Sequence, residues 1–358
     1  MRTLLLLVIV LAGAGLAVLF AIAWIGDRKR ITRDHHRIRA IIYSLSLAVY
    51  CTSWTFFGAV GSAASNGWLY LPIYLGPILV FVFGWRIIGR IVAVSKHQNL
   101  TSIADFIAAR YGKARSIAVL VTLIATIGSV PYIALQLKAI VSGFNIVSDF
   151  QAGNTTVPDT ALIVAGAMAV FAILFGTRQV DATEHHKGMM LAIAFESFVK
   201  LAAFVAVGIF ALALLTSGRV PVNSAATSGL FSFDSLPDTF LTQLLLASAA
   251  IICLPRQFHV TVVEVRAEAE MHTARWAFPL YLLTFSAFVI PITLAGLSLL
   301  PSGTYSGDMF VLGLPMHSEQ HWLTVLAFLG GFSAATGMVI VACVALSTMI
   351  CNEVVMPL

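Results

Sequence analysis

Long apolar runs, separated by a few short charged segments, dominate this chain. Asp, Glu, Lys and Arg make up only 10% of the 358 residues, whereas apolar residues make up 59%. Soluble domains carry about 25% charged residues. A water-soluble globule of this length would need far more polar surface, so the pattern predicts an all-α membrane protein that lies in a lipid bilayer.

Nine of the apolar runs are long enough to cross a membrane. The hydrocarbon core of a bilayer is about 30 Å thick, and a helix needs roughly 20 apolar residues to cross it. The predicted spans cover residues 3–26, 40–60, 68–94, 116–147, 160–176, 188–216, 239–254, 277–300 and 321–350. The first run is too long for the apolar part of a signal peptide, so we predict that it stays as a membrane helix.

The distribution of Lys and Arg orients these spans, because both residues are retained on the cytoplasmic side. If the N-terminus lies outside, the inner connections are 27–39, 95–115, 177–187 and 255–276. Together with Arg86 and Arg90, these connections hold 17 of the 21 Lys and Arg residues. We therefore predict a multi-pass protein of the bacterial inner (plasma) membrane with its N-terminus outside.

Composition and motifs exclude several functional classes. The net charge is +5, but Lys and Arg form no stripe outside short loops, so nucleic acid is not a predicted partner. The sequence has no Gly-rich phosphate loop, no nucleophile elbow and no zinc-binding helix, so we predict neither an enzyme nor a metal site in these residues. Four cysteines are expected to pack as small apolar residues, namely Cys51, Cys253, Cys343 and Cys351.

Two ionisable residues lie inside the sixth predicted span. Glu196 and Lys200 are one helical turn apart on the same face, so we predict an ion pair within the helix. Insertion of each such group near the membrane centre costs about 2.5–3.5 kcal/mol, and pairing offsets part of that. The pair either fixes helix packing only, or couples or gates solute movement. Gln136, in the fourth span, also needs a polar partner in the interior.

Hydroxyl groups and glycines interrupt the second and ninth spans. The second span contains residues 50–55, Tyr-Cys-Thr-Ser-Trp-Thr, followed by Gly58 and Gly61. Unwound backbone is tolerated at this depth only where it is buried in protein or lines a water-filled cavity. Broken helices of this kind bind ions and substrates in secondary transporters. The ninth span repeats the pattern over residues 330–337, although small residues also allow helices to pack closely without any site.

Two inner loops have patterns of their own. Ser102 can cap a short helix, with Asp105 three residues later. Ile103 and Ile107 then share a face that rests in the headgroup layer, unless the helix is simply a solvated loop helix. The loop 255–276 mixes Arg and Glu, which predicts a surface helix without chemical function.

Four segments resemble elements of the sodium:solute symporter family. Residues 101–112 resemble its Thr-x-Leu-Pro-Glu-Tyr-x-x-x-Arg-Phe-Gly element, with Ala104 in place of the proline. Residues 176–187 look more loosely like its Gly-Gly-x-x-Ala-Val-x-x-Thr-Asp-x-x-Gln element. Residues 43–58 and 254–264 are similar to the subgroup in which a symporter-like membrane domain precedes PAS and histidine-kinase modules.

The resemblance implies thirteen spans around an inverted five-plus-five repeat of the leucine-transporter type, of which about nine helices are present here. Helix 3–26 would precede the repeats, residues 40–216 would form the first repeat, and residues 239–358 would form an incomplete second repeat. The resemblance places PAS and histidine-kinase modules beyond residue 358. The 358 residues contain no kinase motif, so phosphotransfer is not expected from them.

The resemblance also implies a solute site and an ion site between spans two, four, seven and nine. The expected substrate-binding residues are Tyr50, Thr52, Ser53, Trp54, Gln136 and Pro255. The expected ion-coupling residues are Cys51, Thr52, Ser333, Thr336, Glu196 and Lys200. Sodium-coupled symporters use paired hydroxyls of the ninth span, but Gly337 and Met338 occupy those positions here, and Tyr50 replaces the Asp of the proline permeases. A sodium site with one fewer anion is expected to be weak, so Na+ and H+ are alternative coupling ions.

We therefore predict the membrane domain of a bacterial sensor histidine kinase that senses or carries a small polar solute, either an amino acid or a carboxylate. It would relay occupancy to kinase modules in the same chain or to a response regulator. The alternatives are a standalone sodium- or proton-coupled symporter, with Glu196 as the proton carrier, and a structural anchor with an inactive site. Under the first two hypotheses we expect Thr52, Ser53, Ser333 and Thr336 to face a wet central cavity.

Overall fold

A computed structural model describes the chain over most of its length. The described residues are 13–15, 17–26, 36–148, 166, 170, 187–217, 229–232, 236–300, 303 and 305–356. Within these ranges the fold is all-helical and contains no strand, which confirms the predicted class. The fifth predicted span, apart from Gly166 and Val170, and most of the resemblance at 176–187 lie outside the described residues.

The helices follow one another with short connections. In chain order they are α1 (Gly13–Gly26), α2 (His36–Leu47), α3 (Ala59–Asn66), α4 (Pro72–Val82), α5 (Trp85–His97), α6 (Ile103–Arg110), α7 (Arg115–Ser148), α8 (Lys187–Thr216), α9 (Phe240–Cys253), α10 (Pro255–Phe258), α11 (Glu268–Leu299), α12 (Phe310–His317) and α13 (His321–Ile350). Shorter helical turns, of the 3₁₀ or π type, adjoin several of them. These turns are Ala48–Tyr50, Trp54–Gly58, Gly67–Tyr70, His259–Val263, Gly307–Met309 and Cys351–Val355.

Several of these helices are suited to a membrane. Four of them, α7, α8, α11 and α13, are long and apolar enough to cross one, and the number rises to seven if each bent pair forms one span. These seven correspond to the second, third, fourth, sixth, seventh, eighth and ninth predicted spans. Helix α1 represents part of the first.

Three spans are bent rather than straight. The axes change direction by 72° between α2 and α3, by 71° between α4 and α5, and by 56° between α9 and α10. The predicted break in the second span is therefore confirmed. The seventh span was predicted to end at Leu254, but helical structure resumes at Pro255 and continues to Val263. Leu254 is extended (ψ 129°) because the residue before a proline is disfavoured in the α conformation.

The ninth span, by contrast, is not loosened, so the alternative interpretation of its small residues, close helix packing, is the correct one. Helix α13 continues through its glycines, which allow close contact with neighbouring helices. A Cβ atom on Gly330 would lie 2.5 Å from the Cβ of Ala203 and 2.9 Å from the ring of Phe56. A Cβ atom on Gly331 would collide with the ring of Phe57. Helix packing therefore explains these glycines.

An aromatic cluster holds the start of α3 against α8 and α11. The ring centroid of Phe56 lies 5.3 Å from that of Phe204, which stacks on Phe285 at 4.5 Å. All three side chains are fully buried. The part of the second span that follows the break is thereby packed against two long helices.

The cap of α6 is confirmed, but the environment of its apolar face is not the predicted one. The Asp105 backbone N–H donates to the Ser102 hydroxyl oxygen at 3.0 Å. Ile103 is buried, and the ring of Phe106 lies 5.6 Å from that of Phe258. The apolar face therefore packs on α10 rather than in the headgroup layer.

Replacement of Gly330 by alanine tests the close packing of α13. The added Cβ meets Ala203, which cannot move aside, and overpacking typically costs about 1–3 kcal/mol. We expect a lower midpoint of thermal unfolding in detergent. Gly128→Ala is the control, because a Cβ there meets nothing within 4 Å. Equal midpoints for both variants would contradict the packing.

Candidate functional site

The break in the second span, which we call the hinge (residues 48–53), is buried within the described structure. Cys51 is extended (φ −76°, ψ 102°), so helical hydrogen bonding stops there. The last carbonyls before a break and the first amides after it lack partners within the helix. Cys51 and Thr52 are 0% exposed and Ser53 is 2% exposed, so other protein groups must satisfy them.

Two side chains satisfy the carbonyl groups of the hinge. The Lys200 ammonium of α8 donates to the carbonyl oxygens of Ala48, at 2.6 Å, and Cys51, at 2.7 Å. Nε2 of Gln257, in α10, donates to the carbonyl oxygen of Leu47 at 3.1 Å. The C-terminal end of a helix carries partial negative charge, so a cation at this position is electrostatically favourable.

On the other side of the hinge, Gln136 of α7 satisfies the first amide. Its Oε1 accepts hydrogen bonds from the backbone N–H of Ser53, at 3.0 Å, and from the Ser53 hydroxyl, at 2.7 Å. The hydroxyl of Thr52 lies 3.0 Å from that of Tyr132, also in α7. The structure thus brings Thr52, Ser53 and Gln136 together, as expected, but they bond to protein groups and are sealed from water.

Glu196 and Lys200 do not form the predicted ion pair. Oε1 of Glu196 accepts a hydrogen bond from the Thr336 hydroxyl at 2.6 Å, and the Ser333 hydroxyl donates to the Glu196 backbone carbonyl at 3.1 Å. No nitrogen–oxygen distance within 4.0 Å joins Glu196 to a basic group of the described residues. The prediction failed because the hinge carbonyls offer Lys200 two closer acceptors, which draw the ammonium away from its helical neighbour.

Ser333 and Thr336 therefore form hydrogen bonds with Glu196 and do not line an open cavity. Ser333 is 7% exposed and Thr336 is 0% exposed. A Cβ atom on Gly337 would lie against Oε2 of Glu196, so this glycine makes room for the carboxyl group. The prediction that the two hydroxyls face water is not what the structure shows.

A cavity of about 770 Å3 lies beside the hinge. Its size falls within the range of small-molecule sites, and it is lined mainly by apolar side chains with a few polar groups, as such sites are. The predicted substrate residues that line it are Tyr50, Trp54 and Pro255. Those that do not are Thr52, Ser53 and Gln136. Three of the six predicted substrate residues thus line the cavity, and the other three are buried at the hinge.

A buried arginine faces this cavity. Arg256 follows the break in the seventh span, lines the cavity and is only 5% exposed. Its Cζ lies 4.7 Å from the centroid of the Tyr132 ring. Its Nε has no hydrogen-bond partner, and no carboxylate of the described residues lies within 4.0 Å of the guanidinium. A buried charge without a counter-ion is costly, so the cavity is suited to an anion.

The sequence interpretation missed Arg256. It assigned 255–276 to a surface helix because Arg and Glu alternate there, whereas the side chains of residues 255–262 are buried. The sequence feature that indicated the buried turn was Pro255. Proline is favoured at the first position of a helix, so it marks a helix that begins again after a break. Gln257 and Phe258, which follow in the same turn, are both 0% exposed.

Comparison with protein-family models and with curated proteins gives no match for this chain. The resemblance to sodium:solute symporters therefore stays a prediction. Functional conclusions rest on the hinge, the cavity and Arg256.

Gln136→Leu tests how the hinge is held. The substitution leaves the buried N–H and hydroxyl of Ser53 without their acceptor, and each lost partner costs about 1–3 kcal/mol. We expect a clear fall in the thermal unfolding midpoint. Gln243→Leu is the matched control, because Gln243 lines the cavity and its side chain makes no hydrogen bond within the described ranges. If both variants unfold at the same temperature, Gln136 does not hold the hinge.

Proposed function

We propose that this chain is a solute-binding membrane domain that recognises a small carboxylate in the cavity beside the hinge. The observation that carries the proposal is Arg256, a buried guanidinium that lines the cavity without an anionic partner among the described residues. Sensing would follow if occupancy is relayed to histidine-kinase modules, as the resemblance implies.

The order of the elements supports an inverted repeat of the leucine-transporter type. A broken span (α2 and α3), a bent span (α4 and α5), the short helix α6 and the long helix α7 come first. A broken span (α9 and α10), the long helix α11, the short helix α12 and the long helix α13 follow in the same order. In the orientation predicted from Lys and Arg, α6 lies inside and α12 outside, as an inverted repeat requires.

The chemistry of the cavity favours a carboxylate over other small solutes. A guanidinium can bind a carboxylate through two parallel N–H···O hydrogen bonds, which gives both affinity and orientation. An arginine that lies over an aromatic ring still has donors at the edge of its planar group. The apolar lining around Arg256 suits a short carbon chain, and the Tyr50 and Trp54 rings complete the wall.

Arg256 also connects the cavity to the hinge. The Tyr132 ring that lies under its guanidinium carries the hydroxyl group that contacts Thr52. The next residue in α10, Gln257, donates to the Leu47 carbonyl before the break. An anion that moves Arg256 therefore acts directly on two contacts that hold the hinge. This is the route by which occupancy would change the angle between the two halves of the second span.

One observation favours the alternative of a proton-coupled symporter. Glu196 is buried, and its carboxyl group has only the Thr336 hydroxyl as a hydrogen-bond partner in the described structure. A buried carboxyl that forms no ion pair is suited to proton uptake and release. If Glu196 carries the proton, Glu196→Gln abolishes pH-driven uptake of a labelled carboxylate into liposomes. Unchanged uptake would remove this role.

Arg256→Gln tests the carboxylate site. The probes are acetate, succinate and alanine, each compared with its amide counterpart, which lacks the carboxylate charge, and binding is measured calorimetrically on protein in nanodiscs. Truncation of one partner of a buried charged contact costs about 2–5 kcal/mol, so we expect the variant to bind the preferred acid roughly 30-fold more weakly or worse. Arg110→Gln, at an exposed residue of α6, is the control and should bind as the wild type does.

Two results would contradict the proposed function. One is that no carboxylate binds the wild type more tightly than its amide. The other is that Arg256→Gln binds the preferred acid as tightly as Arg110→Gln does.

A further inference from the structure

Lys200 is a buried ammonium group that bonds only to the hinge. It is 2% exposed, and the two hydrogen bonds that its Nζ makes in the described structure go to the carbonyl oxygens of Ala48 and Cys51. Both distances, 2.6 and 2.7 Å, are at the short end for a charged donor. A lysine at this depth cannot place its charge in water, so the hinge is what stabilises it.

The surroundings of Nζ have the chemistry of a cation site. Backbone carbonyl oxygens are ligands that hard cations prefer, and here they belong to the negative end of a helix. The ionisable groups that act on the ammonium are Glu196 from its own helix, the Cys51 thiol from the hinge and Arg256 from α10. Glu196 attracts it and Arg256 repels it. A free monovalent ion at the same point would meet the same oxygens.

We propose that Lys200 is a built-in cation that occupies the carbonyl pocket of the hinge in place of a free alkali ion, so that the domain binds its solute without sodium. The inference rests on the proposed function and adds to it that carboxylate binding does not require Na+. Of the two alternative coupling ions, Na+ is thereby replaced by a tethered charge that never leaves the protein.

A role in packing alone does not explain a lysine here. An apolar side chain of similar length would fill the same volume without the cost of burying a charge. It would, however, leave the Cys51 carbonyl without the only donor that reaches it among the described residues. The hinge therefore uses the positive charge and the two hydrogen bonds of the ammonium group. A bound alkali ion would supply the same charge and would coordinate the same two oxygens directly.

The first experiment uses the unaltered protein. Thermal unfolding and equilibrium binding of radiolabelled Na+ are measured in detergent, with NaCl replaced by choline chloride at equal ionic strength. We expect the same midpoint in both salts and no saturable Na+ binding. A coupling ion typically changes the affinity for its partner about 5- to 150-fold. Saturable Na+ binding, or a midpoint that rises with Na+ but not with choline, would overturn the proposal.

The second experiment empties the pocket. Lys200→Ala should lower the unfolding midpoint, and Na+ or methylammonium, but not choline, should restore part of the loss because either fits the vacated space. Lys200→Met fills the space without a charge and should be destabilised without rescue. Lys138→Ala, at an exposed lysine of α7, is the control and should respond to neither ion. A Lys200→Ala protein as stable as the wild type in choline would overturn the proposal.

The measurements separate this inference from the proposed function. If the wild type binds Na+ but its carboxylate binding still depends on Arg256, only the role of Lys200 is refuted. If carboxylate binding is absent while Lys200→Ala gains a response to Na+, the carboxylate site fails and the built-in cation stands. Loss of folding in Lys200→Ala agrees with unsatisfied hinge carbonyls, and the wild-type Na+ titration then decides.

Discussion

The contact between the Lys200 ammonium and two backbone carbonyls allows a helix to be broken inside an apolar protein. An interrupted helix exposes peptide groups that neither lipid nor apolar side chains can satisfy. Here the charge on Lys200 meets the negative end of the helix before the break. Gln257 and Gln136 complete the set on the two sides of the hinge. Three different helices thus converge on one short segment.

This convergence also positions the cavity. Gln136 and Tyr132 lie one turn apart on α7. The helix that accepts the hydrogen bonds of Ser53 therefore also provides the ring over which the Arg256 guanidinium lies. Arg256 and Gln257 are neighbours in α10, and they point to the cavity and to the hinge respectively. A solute at the guanidinium is therefore only one residue away from a group that caps the broken span. The proposed binding site and the hinge therefore share the same few contacts.

The sequence predicted the features that depend on local pattern and failed where tertiary contacts decide. Apolar run length predicted the seven spans that the described residues offer when each bent pair is taken as one, and the hydroxyl-rich run before Gly58 predicted the hinge. Spacing alone predicted an ion pair for Glu196 and Lys200, but the partners of both residues come from other helices. The glycines of the ninth span follow the same sequence pattern as those of the second. Whether such glycines mark a break in a helix or a close contact between helices depends on the neighbouring helices, which the pattern does not show. Arg256 was missed because charge alternation does not report burial.

A density map of the protein in nanodiscs, recorded in sodium-containing buffer at a resolution that shows side chains, tests the central claim most directly. The account predicts that Nζ of Lys200 lies within hydrogen-bond distance of the Ala48 and Cys51 carbonyl oxygens, and that no separate ion density lies between them. A Lys200 side chain turned away from the hinge, with an ion bound by the two carbonyls, would contradict it.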